Sequence, residues 1–173
     1  LVAAVLIAMV SRSDLPSFAD LENPQYDLAS IIYDHNGESL GKYYIENREF
    51  VSFQDLSPHL VDALLSTEDT RYYSHSGIDF WALVRVGIKT VLLRQESSGG
   101  GSTITQQLSK LLFNRESLRG KGTLARATTL LKIKVKEWIT AVKLERRYTK
   151  EEIMSMYLNK FEFINGAHGI QSA

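Results

Sequence analysis

The sequence has no cysteine and only three prolines among its 173 residues. The absence of cysteine excludes a disulfide framework, a thiol nucleophile and a cysteine-ligated zinc site. The four histidines do not occur in HExxH or His-x3-His spacing, which argues against a dedicated metal cage. Because 44% of the residues are hydrophobic and 23% are charged, the composition predicts about one globular domain with a substantial core.

The sequence has no net charge, but its 20 basic and 20 acidic residues are unevenly distributed. Residues 1–100 hold 7 basic and 14 acidic side chains, whereas residues 101–150 hold 12 basic and 3 acidic ones. A basic block inside a neutral chain indicates either an anionic partner or a solvated helix face, and composition does not distinguish the two.

The first ten residues, LVAAVLIAMV, are all apolar. A membrane-spanning helix needs about 20 such residues, so we expect residues 1–13 to be the end of an N-terminal transmembrane helix in a chain that is cut at both ends. A signal-peptide core and an ordinary buried helix end are the alternatives.

The periodicity that follows predicts a short β element and then helices. Two β-rich runs flank Asn36-Gly37, a strong hairpin signal, so residues 14–54 are interpreted as a β-hairpin linker region. Helical spacing starts at Ser57-Pro58 and again after Asp79, which is a good N-cap residue. The predicted fold class is therefore mainly α.

Two further helices are predicted in the second half of the chain, and a third follows them. One starts near Thr103, and a long one runs from Leu124 to Arg147. Thr149 and Glu152 have the spacing of a capping box, which predicts a last helix that extends through Asn159.

Two adjacent acids, Glu68 and Asp69, lie at the predicted end of the first helix. Negative charge at a helix C-terminus opposes the helix dipole, so local stability does not favour this pair. A solvated turn is the ordinary interpretation. The nearby His75-x-Gly77 and several aromatic residues favour a functional role instead.

A glycine-rich segment, Gly100-Gly101, precedes a helix start that is rich in hydroxyl and amide side chains. Backbone N–H groups at a helix N-terminus, with a lysine nearby, suit an oxyanion such as phosphate. The pattern GxxxxGK[ST] is absent, so nucleotide hydrolysis is disfavoured. A flexible linker followed by a glutamine-rich helix cap is the alternative.

Lys134 and Glu137 form an i,i+3 pair on the predicted long helix. An exposed salt bridge is the usual meaning of such a pair. Its neighbours, however, are mostly apolar and indicate a largely covered helix: Leu130, Leu131, Ile133, Trp138, Ile139 and Val142. A covered acid needs a partner or a chemical task.

Five segments of the sequence resemble, in order, the five motifs of the peptidoglycan glycosyltransferases (glycosyltransferase family 51). These enzymes form the lysozyme-like domain of class A penicillin-binding proteins and also occur as monofunctional transglycosylases. The segments are EDTRYYSHSG, GGSTITQQLSK, KVKE, KEEIMSMYLN and GAHGIQSA. The resemblance covers residues 55–173, which we interpret as a C-terminally truncated glycosyltransferase domain.

The resemblance implies catalytic roles for Glu68 and Glu137. It implies substrate or pyrophosphate binding by Asp69, His75, Arg85, Ser102, Thr103, Gln106, Gln107, Lys110 and Lys134. The chain departs from the family pattern at three positions, with Leu111 for an asparagine, Ile133 for an arginine and Thr129 for a basic residue. The substitutes we consider for the missing cations are Arg126, Lys132 and Lys136.

The implied reaction polymerises lipid II into β-1,4-linked glycan strands with release of undecaprenyl pyrophosphate. Inversion in one displacement needs one carboxylate as base, which the resemblance assigns to Glu68. Arg85, Lys110 and Lys134 would neutralise the pyrophosphate. Glu137 would orient these cations or help to hold a divalent ion such as Mg²⁺, and no organic cofactor is expected.

The resemblance also implies a location and partners. The domain would lie on the extracytoplasmic side of the bacterial inner (cytoplasmic) membrane, attached by a single span. It would contact membrane lipid, lipid II, the growing glycan strand and other cell-wall synthesis proteins. Nucleic acid is not expected as a partner, because residues 101–150 contain few aromatic residues for base stacking.

Two rival functions remain open from the sequence. A lysozyme-like lytic enzyme would share the fold and a glutamate but cleave glycan strands. A catalytically impaired scaffold domain would account for the departures at Leu111 and Ile133.

Overall fold

The computed structural model describes residues 30–43, 50–92, 100–112, 122–164 and 167–173. Within these ranges the chain is mainly α, as predicted, with five α-helices and a two-stranded antiparallel sheet. The elements are β1 Ser30–Tyr33, β2 Ser39–Tyr43, α1 Pro58–Glu68, α2 Phe80–Leu92, α3 Ile104–Leu112, α4 Thr123–Arg147 and α5 Lys150–Lys160.

The predicted transmembrane segment, residues 1–13, lies outside the described ranges. In the part of the chain that the structure describes, no helix combines the length and the hydropathy that crossing a membrane requires.

The hairpin prediction is confirmed, and the turn that closes it is built around Asp34. Its carboxylate accepts hydrogen bonds from the backbone N–H groups of Asn36 and Glu38, each at 2.8 Å. Gly37 has a φ of 84° and donates its N–H to the Asp34 carbonyl. This left-handed position favours glycine, which explains why Asn36-Gly37 is informative in the sequence.

The predicted helix starts are also confirmed. Pro58 occupies the first turn of α1, where its missing N–H costs nothing. Asp79 accepts a hydrogen bond from the backbone N–H of Ala82 at 3.0 Å and so caps α2. Thr149 and Glu152 form the complete capping box at the start of α5.

The core surrounds α3, a short helix that packs against both α4 and α5. Its Ile104 and Leu108 side chains have no solvent exposure. They pack among buried apolar residues from the neighbouring elements: Val51, Leu56, Tyr72, Leu144, Ile153, Met154, Tyr157 and Leu158. Burial of each large aliphatic side chain contributes about 1.5–3 kcal/mol, and α5 supplies half of these partners, namely Ile153, Met154, Tyr157 and Leu158.

The segment that enters the helical body is tied to α5 through Val51. The Val51 N–H donates to Asn159 Oδ1 at 2.9 Å, and the Val51 carbonyl accepts from Asn159 Nδ2 at 2.7 Å. Ser155 Oγ donates to the same carbonyl at 2.8 Å. The beginning and the end of the helical body therefore meet at α5.

The long helix α4 is covered over only part of its length, which corrects the prediction of a largely covered helix. Leu130 and Leu131 are about half exposed, while Val135, Ala141 and Leu144 are buried. The helix packs against α3 and, with fewer contacts, against α5.

Candidate active site

Glu68 is the last residue of α1, and its carboxylate lies on the wall of a cleft of about 330 Å³. Gln107 Nε2 donates a hydrogen bond to Glu68 Oε2 at 2.8 Å. The cleft is also lined by Ser66, Thr67, Asp69, Thr70, Arg71, Asp79, Trp81, Ala82, Arg85, Gly100, Gly101, Ser102 and Thr103. Glu68 is thus an exposed carboxylate with one amide partner, which leaves lone pairs open to a ligand.

Asp69 is the opposite case, because its carboxylate is buried and fully engaged. It accepts from the backbone N–H of Ile104 at 3.1 Å and from His75 Nε2 at 3.0 Å. Ile104 is the first residue of α3, so the negative charge that opposes the dipole of α1 is favourable for α3. Asp69 therefore joins the end of one helix to the start of another.

The backbone of Gly77 takes part in three hydrogen bonds behind the cleft. Its carbonyl accepts from Thr103 Oγ1 at 2.7 Å and from Gln106 Nε2 at 3.2 Å. Its N–H donates to His75 Nδ1 at 3.2 Å, which leaves the His75 Nε2 proton for Asp69. We call the set Asp69, His75, Gly77, Thr103 and Gln106 the buried network.

Only glycine fits at position 77. Its φ is 89°, and an added Cβ would lie 2.9 Å from the backbone carbon and oxygen of Ala141 on α4. The left-handed conformation and the close approach of two backbones both exclude a side chain. Gly77 thereby fixes the distance between helix α4 and the loop that joins α1 to α2.

Lys134 supplies the positive charge next to the glycine-rich segment. Its Nζ donates to Ser102 Oγ and to Glu137 Oε2, each at 2.9 Å. Glu137 is only 6% exposed, and Ser109 Oγ donates to its backbone carbonyl at 3.1 Å. The buried Glu137 carboxylate thus has Lys134 as its partner, and Glu137 holds the lysine ammonium at the edge of the cleft.

The structure divides the other predicted cations between two clefts. Arg85, exposed on α2, lines the same cleft as Glu68 and Ser102. Lys110 lines a second cleft of about 400 Å³ together with Gln107, Leu111, Tyr157 and Phe161. Glu68, Arg85, Ser102 and Lys134 are called the cleft face below. Because Gln107 lines the second cleft and contacts Glu68, the two clefts meet at this hydrogen bond.

Two predicted binding residues, Gln106 and His75, belong to the buried network and do not line either of the two clefts. The side chain of Gln106 has no solvent exposure, and its amide is directed to Gly77. The His75 side chain is only 5% exposed and contacts Asp69. Both residues therefore hold the loop that follows Glu68 in the chain.

The three departures from the family pattern are accommodated by packing. Leu111 packs against the hydrophobic core and lines the second cleft. Thr129 is buried, with its hydroxyl donating to the Ala125 carbonyl at 2.8 Å, and Ile133 is half-buried. The candidate substitutes lie along the same helix, with Arg126 and Lys132 exposed and Lys136 half-buried.

The residues around Glu137 do not fit a divalent ion. Its carboxylate contacts the Lys134 ammonium at 2.9 Å, and Mg²⁺ requires near-octahedral oxygen coordination. Among the residues that the structure describes, there is also no group of three or more His, Asp or Glu side chains suited to a metal. The Mg²⁺ assignment stays a prediction, and no step below uses it.

Sequence reasoning missed Tyr157 and Trp81. The Tyr157 hydroxyl donates to Gln107 Oε1 at 3.1 Å, and Trp81 is 70% exposed on the wall of the Glu68 cleft. Tyr157 lies within the segment KEEIMSMYLN, and the resemblance of this segment to a family motif implies no role for its individual residues. Its contact depends on how α5 packs on α3, for which the sequence contains no local signal.

Burial, and secondarily the negative charge of Glu68, raises the pKa of Tyr157 to about 12. Burial also raises the pKa of Tyr72, whose hydroxyl donates to the Lys150 carbonyl at 2.8 Å. Both phenols are therefore protonated and act as hydrogen-bond donors over the whole neutral pH range.

A family model described as Transglycosylase matches residues 36–173. Penicillin-binding protein 1F of Bacillus subtilis (strain 168) is 39% identical over 145 residues, which cover 84% of this chain and 19% of the relative. Penicillin-binding protein 1A of Aquifex aeolicus (strain VF5) is 38% identical over 160 residues, covering 92% and 20%. For penicillin-binding protein 1A of Escherichia coli (strain K12), identity is 33% over 159 residues, covering 92% and 17%.

The chain thus spans about a fifth of the length of these curated relatives. The match begins at residue 36 and so includes part of the region interpreted as a hairpin linker. It also contains every predicted site residue, from Glu68 to Glu137. The chain belongs to the transglycosylase family, as a peptidoglycan glycosyltransferase domain of the kind found in class A penicillin-binding proteins.

Proposed function

We propose that this domain polymerises lipid II into β-1,4-linked glycan strands and releases undecaprenyl pyrophosphate. The observation that carries the proposal is the pairing of an exposed carboxylate, Glu68, with cationic side chains around one cleft. The family model described as Transglycosylase, which matches residues 36–173, supports the same reaction class.

Glu68 is the proposed general base. It accepts the proton of the acceptor sugar 4-hydroxyl while that oxygen bonds to the anomeric carbon of the donor. The bond from this carbon to the pyrophosphate oxygen breaks, and the leaving group departs with the electron pair. An α-linked donor gives a β-linked product in such a single displacement. The exposed lone pairs of Glu68 support this role.

Arg85 and Lys134 are the proposed cations for the pyrophosphate. A pyrophosphate leaves as a stabilised anion, so it needs positive charge more than a proton donor. Arg85 lines the cleft, and Lys134 reaches its edge through Ser102. Glu137 acts in this scheme by orienting the lysine, because its buried carboxylate is 2.9 Å from the ammonium.

Two clefts that meet at Glu68 and Gln107 suit a reaction between two sugar substrates. In this arrangement one cleft holds the donor with its pyrophosphate, and the second holds the other sugar chain beside Lys110. A binding role for Lys110 is therefore compatible with its position in the second cleft.

The proposed place of action is the outer surface of the bacterial cytoplasmic membrane, where a substrate with a polyprenyl tail is available. Residues 101–150 carry an excess of basic side chains, and such residues are attracted to anionic headgroups by about 1 kcal/mol each. Other cell-wall synthesis proteins as partners remain a prediction from the family.

The test is glycan chain formation from lipid II by the variant Glu68→Gln. We expect polymerisation to fall by about three orders of magnitude, because an amide cannot accept the proton, while lipid II still binds. Glu151→Gln, which changes an exposed acid on α5, serves as the matched control and should keep full activity. Turnover near that of the wild type in Glu68→Gln would remove Glu68 from the base role.

The two rival functions give different results in the same laboratory assays. A lytic enzyme would release muropeptides from purified cell wall, and a scaffold domain would neither polymerise lipid II nor cleave glycan. The cationic cleft face counts against a lytic enzyme, which does not need positive charge for a pyrophosphate.

A further inference from the structure

A chain of two hydrogen bonds joins a buried tyrosine to the proposed base. The Tyr157 hydroxyl donates to Gln107 Oε1 at 3.1 Å, and Gln107 Nε2 donates to Glu68 Oε2 at 2.8 Å. The three residues come from α5, α3 and α1, so the chain crosses the helical body from its core to the Glu68 cleft.

The direction of these bonds is set by the chemistry of the groups. An ionised carboxylate only accepts hydrogen bonds, so the Gln107 amide must present its N–H to Glu68. The amide oxygen then faces the other way and needs a donor. Tyr157 supplies one, and since its pKa is raised to about 12 by burial and by Glu68, it keeps its proton under all ordinary conditions.

The two ends of the chain differ in how firmly they are held. Tyr157 is 4% exposed, and its ring lies 5.4 Å from the ring of Phe161, centroid to centroid. Glu68, in contrast, is exposed at the last position of its helix, and Gln107 is half-buried. An exposed amide–carboxylate bond alone gives little net stabilisation, so a firmly packed residue behind it is needed to fix the carboxylate.

We infer that Tyr157 is a positioning residue for glycosyl transfer, because its hydroxyl orients the Gln107 amide that holds the Glu68 carboxylate in the cleft. The effect of Tyr157 on Glu68 passes through Gln107. The inference rests on the proposed function, since it takes Glu68 to be the base.

The first test is the variant Tyr157→Phe in the full-length protein, assayed with lipid II. The ring and its packing remain, but the donor to Gln107 is lost. We expect kcat to fall about five- to tenfold, which is the effect of one lost hydrogen bond that orients a reacting group, and KM to change less than about twofold.

Tyr72→Phe is the matched control. Tyr72 is also a buried tyrosine, and its hydroxyl donates to a backbone carbonyl, that of Lys150, at 2.8 Å. This variant should lose stability in thermal denaturation and keep its kcat. If both variants lower kcat equally, the effect of Tyr157 is general destabilisation, and the inference is overturned.

The second test is a double-mutant cycle with Gln107→Ala. If Tyr157 acts through Gln107, Tyr157→Phe has no further effect on kcat in the Gln107→Ala background. Full additivity of the two changes would overturn the inference, even where Glu68→Gln abolishes turnover as proposed. Wild-type turnover in Glu68→Gln would instead overturn the proposed function, so the two failures are distinguishable.

Discussion

Glu68 and Asp69 are neighbours in the sequence but belong to two regions with opposite properties. Glu68, on the cleft face, is exposed and has one side-chain partner, the amide of Gln107. Asp69, in the buried network, is held by a backbone N–H and a histidine. A single motif thus contains an exposed carboxylate that is available to a ligand and a buried carboxylate whose oxygens are engaged by the protein. The comparison shows that two neighbouring carboxylates of one motif can have different environments.

The largest expected effect separates these two acids. Asp69→Ala should lower the free energy of unfolding by about 3 kcal/mol, because it leaves the N–H groups of Ile104 and His75 buried without an acceptor. Glu68→Ala should change it by less than about 0.5 kcal/mol. Urea denaturation measures both. Equal effects of the two variants would break the division into a structural and a chemical acid.

The next largest effect is expected on the free energy of unfolding, from the close packing of Gly77 against α4. Gly77→Ala should cost about 2–3 kcal/mol, because the methyl group meets the Ala141 backbone in addition to a strained φ. Gly37→Ala is the matched control, since Gly37 has a φ of 84° but nothing within 4 Å of an added Cβ. It should cost only about 1 kcal/mol. A similar cost in both variants would show that backbone strain alone matters at Gly77.

A smaller effect is expected on the affinity of the cleft face for its ligands. Lys134→Ala should weaken the binding of lipid II and of a phosphoglycolipid inhibitor about tenfold, as expected for the loss of one charged contact. Arg146→Ala, which removes an exposed cation from the last turn of the same helix, is the control and should bind normally. Binding is measured by titration at fixed ionic strength, since such contacts are screened by salt. Unchanged affinity for both ligands would contradict the phosphate assignment.

The smallest effect is a pH dependence at Tyr157, which is joined to Glu68 on the cleft face through Gln107. The pKa of Tyr157 is about 12 in the folded state and about 10 in an unfolded chain. Between pH 10 and pH 12, Tyr157 is mostly protonated in the folded state and mostly ionised in the unfolded chain. The free energy of unfolding therefore falls as the pH rises above 10. At pH 11 this amounts to about 1 kcal/mol, and Tyr157→Phe should reduce the fall by that amount in urea denaturation. An identical pH dependence in this variant would show that Tyr157 titrates normally.

The features predicted correctly from the sequence are those set by neighbouring residues. Pro58, Asp79 and the Thr149–Glu152 pair mark helix starts through local chemistry. The hairpin turn is of the same kind, because a left-handed glycine and an aspartate determine it. Such signals act over about four residues and do not depend on the rest of the chain.

The features that sequence reasoning missed depend on packing between distant elements. Gln106 and Gln107 are adjacent in one motif, yet one is enclosed in the buried network and the other reaches Glu68. Successive residues of a helix point about 100° apart, and the positions of α4 and α5 decide which of the two is covered. For the same reason the sequence alone could not predict that Lys110 lines a different cleft from Glu68 and Arg85.

The attachment of Val51 to Asn159 has a consequence for how the domain forms. The two residues are 108 positions apart in the chain, and such a distant contact closes late, because the entropy of a long loop must be overcome first. During synthesis from the N-terminus, the start of the helical body cannot be fixed until α5 has left the ribosome. Until then Ile104 and Leu108 lack the α5 side chains that help to bury them, so the nascent core depends on α5 for protection from aggregation.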